Sequence, residues 1–145
     1  MHTSNKLCRL LAGAALFAGL LANSQAADPV YLSDLAAASK PVADQYRALM
    51  RDVSKRASWV NQYGTASPAE AVTADGRSYQ IFRACKPHNC PSESYVVLLD
   101  AQDQTIKYGA FVENKTSSSG LTSSRIQWLG KPEDSLARQM APWLF

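Results

Sequence analysis

Histidine is what this chain has least of and cysteine is nearly as scarce, with two histidines and three cysteines among 145 residues. His2 and Cys8 fall within residues 1–26, so the remainder keeps one histidine, His88, and two cysteines, Cys85 and Cys90. A single histidine leaves no independent base for a second nucleophile, and a Cys-His nucleophile would need a free thiolate. A metal site would have to be built from Cys85, His88 and Cys90, with no fourth Cys or His to complete it. No Lys/Arg cluster stands out, which argues against nucleic acid or an anionic membrane surface as partner. No glycine-rich phosphate loop is present. The one long apolar run, Leu10 to Ala22, is short for a membrane span.

That run follows Lys6 and Arg9, with no acidic residue before it, and leads to Ser24 and Ala26 at small-residue positions. The pattern predicts a signal peptide over residues 1–26, cleaved after Ala26, and an exported protein, periplasmic in a Gram-negative source. Cys8 precedes the apolar run, which argues against a lipid-modified cysteine at the cleavage site. Residues 27–145 retain 13 basic and 12 acidic residues, a net charge of about +1, and fit a single domain. Two cysteines separated by four residues in an oxidising compartment predict a Cys85–Cys90 disulfide.

Pro41 suits a first helical turn, and Val42, Tyr46, Leu49, Met50, Val53 and Ala57 follow at helical spacing, predicting an amphipathic helix from Pro41 to Lys55. Tyr31 to Ala38 forms a shorter helix or turn before it. Strands are expected at Ala69–Thr73, Ser78–Cys85, Ser94–Asp100, Thr105–Glu113 and Ser124–Leu129. Turns are expected at Asp75-Gly76, Ala101–Gln104 and the serine-rich run Thr116–Gly120. Tyr95 to Leu99 is apolar throughout, as in a central strand covered on both faces. Ile106, Tyr108, Ala110 and Val112 alternate with Lys107, Gly109, Phe111 and Glu113, as in a strand with one face more buried. Pro132, Glu133 and Asp134 open a last helix with the stripe Leu136, Ala137, Met140 and Ala141, ended by Pro142. The fold expected is α+β, an antiparallel sheet of about five strands flanked by helices.

The Cys85–Cys90 segment joins two predicted strands, so its disulfide would close a hairpin tip and contribute only roughly 2 kcal/mol through chain entropy. Pre-organisation of a projecting loop, with Pro87 adding stiffness and His88 near the apex, is the alternative use of such a bridge. From spacing alone, a simple turn clamp around an idle histidine is the favoured account. Asp100 and Asp103 beside a turn, and Glu93 near the loop, suit turn-forming or solvated roles better than catalytic ones. Trp59, Trp128, Trp143, Phe82 and Tyr108 suit a core.

The hexapeptide Cys85-Lys86-Pro87-His88-Asn89-Cys90 resembles the inhibitor of vertebrate lysozyme family, whose hallmark is Cys-Lys-Pro-His-Asp-Cys. The similarity extends to Trp59-Val60, Ser67-Pro68-Ala69, Tyr79-Gln80 and Ile126-Gln127-Trp128-Leu129, and so to most of the chain after the leader. It implies a non-enzymatic protein without cofactor, whose disulfide-closed loop protrudes from the sheet and plugs the active-site cleft of C-type lysozyme. His88 would then be central, with Lys86, Pro87 and Asn89 completing the inhibitory loop. Two departures stand out: Asn89 replaces the hallmark aspartate, and Pro91 follows Cys90 where glycine is common. Dimers occur in the family, which leaves a homodimer open. Two rival readings use the same residues. One is a periplasmic regulator of the cell's own lytic transglycosylases. The other is a thiol oxidoreductase, which requires that Cys85 and Cys90 cycle.

Overall fold

Ser39 divides the first helical region. The computed structural model describes residues 28–145, so the expected leader and its cleavage position lie outside the described residues. Helix α1 (Leu32–Ala38) ends at Ser39, and α2 (Lys40–Leu49) starts there, with Ser39 Oγ accepting from the Val42 amide at 3.5 Å. Pro41 sits in the first turn, where a missing N–H loses no intrahelical bond. The helix expected to reach Lys55 is interrupted at Met50, whose φ and ψ of −86° and 2° leave the helical region, before α3 (Arg51–Ser54). Val42, Tyr46, Met50 and Val53 are buried on both sides of the break, so the apolar stripe runs through it. A 3₁₀ turn over Ser58–Gln62 then carries Trp59 and Val60 towards the sheet.

Six antiparallel strands follow, β1 (Thr65–Ala66), β2 (Glu70–Ala74), β3 (Arg77–Cys85), β4 (Glu93–Asp100), β5 (Thr105–Ser117) and β6 (Gly120–Leu129). The meander β3-β4-β5-β6 is the one predicted, and β1 and β2 both pair with β3 on its outer side. At the Asp75-Gly76 turn both residues have positive φ, 49° and 74°. That conformation matches a two-residue type I′ hairpin, and Asp-Gly is a favoured sequence for it. Strand β1 was not anticipated, because two residues carry no alternation to read. Strands β5 and β6 also run further than expected, into the serine-rich segment, where Ser117 pairs with Gly120.

The first helices cover one face of the sheet, where Tyr46, Met50 and Val53 pack with Phe82, Tyr95, Val97, Leu99 and Phe111. Helix α4 (Asp134–Met140) and a terminal 3₁₀ turn (Ala141–Trp143) cover the other, where Leu136 and Met140 meet Tyr79, Ile81, Val96 and Leu98. Strand β4 is buried on both faces, as its apolar run predicts. Two expectations for the sheet need correction. Leu98 pairs with Tyr108 but Leu99 pairs with Ile106, so Lys107 is skipped as a bulge and Ile106 faces the α2 layer while Tyr108, Ala110 and Val112 face the other. Trp128 is 40 % exposed rather than core, because β6 is an edge strand and α4 packs on the β2 side of the sheet.

Asp100 is the buried charged residue of the far sheet end, and it organises the β4–β5 turn as its type suggests. One carboxylate oxygen accepts from the amides of Gln102 at 2.9 Å and Asp103 at 3.3 Å, while the other accepts from Arg77 Nε at 3.0 Å and from Arg77 Nη2. Burial pushes its pKa up, but those amides and the guanidinium together hold it below the ordinary carboxylate value. A carboxyl lowered in the fold stabilises above its unfolded pKa, and that contribution is lost as pH falls through the folded value. Asp100→Asn is therefore expected to flatten the acid limb of a plot of melting temperature against pH below about pH 4. An acid limb identical to wild type would show that this ion pair is not what acid removes.

Candidate functional site

Strands β3 and β4 end level with each other, and the chain between them leaves the sheet as a short, closed loop. Cys85 and Cys90 are bonded, with their Cα atoms 4.7 Å apart. Neither sulfur is then a thiolate, which removes both the metal-ligand and the nucleophile readings of this pair. The Asn89 amide donates to the Lys86 carbonyl at 3.0 Å, closing a turn with Pro87 and His88 at its centre. His88 has φ of +62° in the position where a type II turn demands a positive value. Proline fixes the residue before it and the disulfide fixes the ends, so the imidazole is carried at the apex on a left-handed backbone that histidine tolerates better than most side chains. A second turn follows, with the Ser92 amide and hydroxyl both donating to the Asn89 carbonyl, at 3.1 and 3.0 Å. Pro87, His88, Asn89, Cys90 and Pro91 are all exposed.

Both legs of the loop are tied down by side chains from outside it. On the entering leg, Lys86 donates its backbone N–H to the Glu93 carbonyl at 3.0 Å and its ammonium to Glu93 Oε1 at 2.8 Å. The other carboxylate oxygen of Glu93 accepts from the Trp59 indole at 2.6 Å. Burial raises the Glu93 pKa, but the hydrogen bonds from Lys86 and Trp59, with the positive charges of Lys86 and Arg56, lower it overall. On the leaving leg, the Asn114 amide donates to the Ser92 carbonyl at 2.7 Å and Asn114 Nδ2 donates to the Pro91 carbonyl at 2.9 Å. Asn114 Oδ1 in turn accepts from Ser124 Oγ at 2.7 Å.

The hexapeptide was the candidate site on scarcity alone, and the fold gathers its four central residues into one projection. Lys86 departs from the rest, being half-buried and already paired. Glu93 is neither solvated nor turn-forming, and Trp59 is partly buried between the core and that carboxylate. Of these supports, only Glu93 had a readable signal, an acid placed to face Lys86 across the base of a hairpin. Trp59 is marked in the sequence by the Trp59-Val60 resemblance and as a core residue, but nothing ties it to the loop, and Asn114, from a distant segment, carries no signal.

Known proteins are similar to this chain in sequence. A family model described as "Inhibitor of vertebrate lysozyme (Ivy)" matches residues 41–143, from α2 to the last turn. The "Inhibitor of vertebrate lysozyme" of Escherichia coli K12 is 36% identical over 69 residues, which is 47% of this chain and 44% of that relative, so less than half its length is matched. An uncharacterised protein of Pseudomonas aeruginosa is 30% identical over 140 residues, 92% of this chain and 88% of its own. An uncharacterised Yersinia pestis protein is 26% identical over 85 residues, 56% of this chain and 54% of its own. By the extent of the family match, this chain belongs to the inhibitor of vertebrate lysozyme (Ivy) family.

Proposed function

We propose that this protein is an exported inhibitor of C-type lysozyme, acting as a binding protein and not as a catalyst, by inserting the Cys85–Cys90 loop into the glycosidase cleft. The observation that carries the proposal is His88, exposed at the apex of a disulfide-closed projection and held on a left-handed backbone by Pro87 and the bridge. Retaining glycosidases work with two carboxyl groups about 5 Å apart, one of them the proton donor. An imidazole lodged between them can hydrogen-bond both and occupy the space the scissile sugar needs. A protonated imidazole adds charge-assisted bonds in a partly desolvated site. Asn89 and Pro87 flank it as secondary contacts, and Asn89 supplies polar groups without the negative charge of the family hallmark. A net charge of about +1 after the leader offers little long-range attraction to a basic enzyme, so local contacts at the loop carry the association.

The test is a titration of residues 27–145 against hen or human lysozyme, with bacterial cell-wall lysis as readout. Stoichiometric loss of activity is expected. Full lysozyme activity in molar excess of the protein would reject the proposal.

A further inference from the structure

The ammonium of Lys86 is spent inside the protein. It sits 2.8 Å from Glu93 Oε1, on a side chain 39% exposed facing a carboxylate side chain only 21% exposed. Glu93 stands directly opposite Glu113 in the β4–β5 ladder. Like charges across a ladder are destabilising, and here each acid has its own cation, Lys86 for Glu93 and Arg56, at 3.3 Å, for Glu113. Were Lys86 to leave for a partner's carboxylate, Glu93 would remain half-buried beside Glu113, compensated by an indole N–H and by the charge of Arg56, which is already bonded to Glu113. Breaking one side of a partly desolvated pair costs more than an exposed contact returns.

From this geometry we infer that Glu93 is a positioning residue of the inhibitory loop: anchored by the Trp59 indole, its carboxylate holds Lys86 and so sets where His88 is presented. The inference rests on the proposed function and deepens it. Trp59 is rooted in the core, stacked on Tyr95 with ring centroids 5.8 Å apart, so the chain of contacts runs from the packed interior to the first residue of the loop. Lys86 then acts through Glu93 and not on the enzyme, which reverses its expected part as a direct contact. The loop is pre-organised on its entering leg, and a partner gains affinity because less order has to be created on docking.

The test is a double-mutant cycle in lysozyme inhibition with Lys86→Ala, Glu93→Gln and the double variant. The Glu93→Gln change keeps an acceptor for Trp59, so the cycle isolates the arm to Lys86. Each single change is expected to raise the inhibition constant about tenfold, as for one immobilised side chain, and the double is expected to be no worse than the weaker single. A role confined to folding would lower melting temperature without this non-additivity. If Lys86→Ala itself melts well below wild type, Lys86→Met, which keeps the stem, takes its place. A double variant weakened about a hundredfold would mean that the two residues act independently, and would overturn the inference. So would singles that inhibit like wild type. If wild type does not inhibit, the proposed function fails first and takes this inference with it, an outcome distinct from both.

Discussion

Replacing His88 with alanine is expected to weaken inhibition of a C-type lysozyme by roughly 30-fold or more, the loss of a central interface residue worth at least about 2 kcal/mol. The same change is expected to leave the melting temperature almost where it was. His88 is exposed, and surface side chains that make no packed contact move stability within about 0.5 kcal/mol. Its backbone sharpens the test. With φ at +62° the position favours glycine, so His88→Gly should fold at least as stably as wild type while inhibiting no better than the alanine variant. Stability and inhibition would then move in opposite directions at one residue, a result that a mere turn clamp does not produce. Inhibition that survives both substitutions would remove His88 from the mechanism and point to Pro87, Asn89 and the exposed backbone of the loop.

The loop was legible because its chemistry is scarce, and its neighbours were not because theirs is common. One histidine between the only two cysteines after the leader drew attention with no structure at all. What ties the projection to the sheet is a tryptophan from the 3₁₀ turn, an acid at the start of β4 and an asparagine in β5, three ordinary residues brought together by the fold. The sheet shows the same division. Alternation and the Asp75-Gly76 turn marked the main strands, since a half-buried strand and a type I′ hairpin both leave local signatures. The extension of β5 and β6 past Glu113 did not show, because Thr116, Ser117 and their neighbours are polar on both faces and resemble a loop. The helix break at Met50 was hidden by an apolar stripe that tertiary packing keeps continuous. Trp128 was misjudged because hydrophobicity says nothing of whether a second layer reaches the edge strand.

Gly130→Ala is expected to be the most destabilising single-methyl change considered, at about 4 kcal/mol, from left-handed backbone strain added to overpacking. Gly130 follows β6 with φ of +74°, and a Cβ placed there would collide with the carbonyl oxygen of Lys107, lying 2.9 Å from its carbonyl carbon and 3.3 Å from Leu49 Cδ1. Lys107 is the bulged residue of β5, next to Tyr108, which pairs with Leu98, so a retreat of its carbonyl would disturb the ladder that half-buries Tyr108 and buries Ala110. Gly76 provides the comparison, having the same φ of +74° with nothing within 4 Å of the added carbon. Gly76→Ala should therefore register the backbone term alone, about 1 kcal/mol. For a domain of this size the two variants should differ in melting temperature by about 10 °C or more, readable by circular dichroism or calorimetry. Equal losses would mean that the Lys107 bulge yields to the methyl group, and that the register shift is softer than its place in the sheet implies. If both fold, each should inhibit lysozyme like wild type at a temperature where it is native, because Lys107 and Asp75-Gly76 lie at the opposite end of the strands from His88. Stability and inhibition would thus separate by position along the sheet, as they separate by side chain at residue 88.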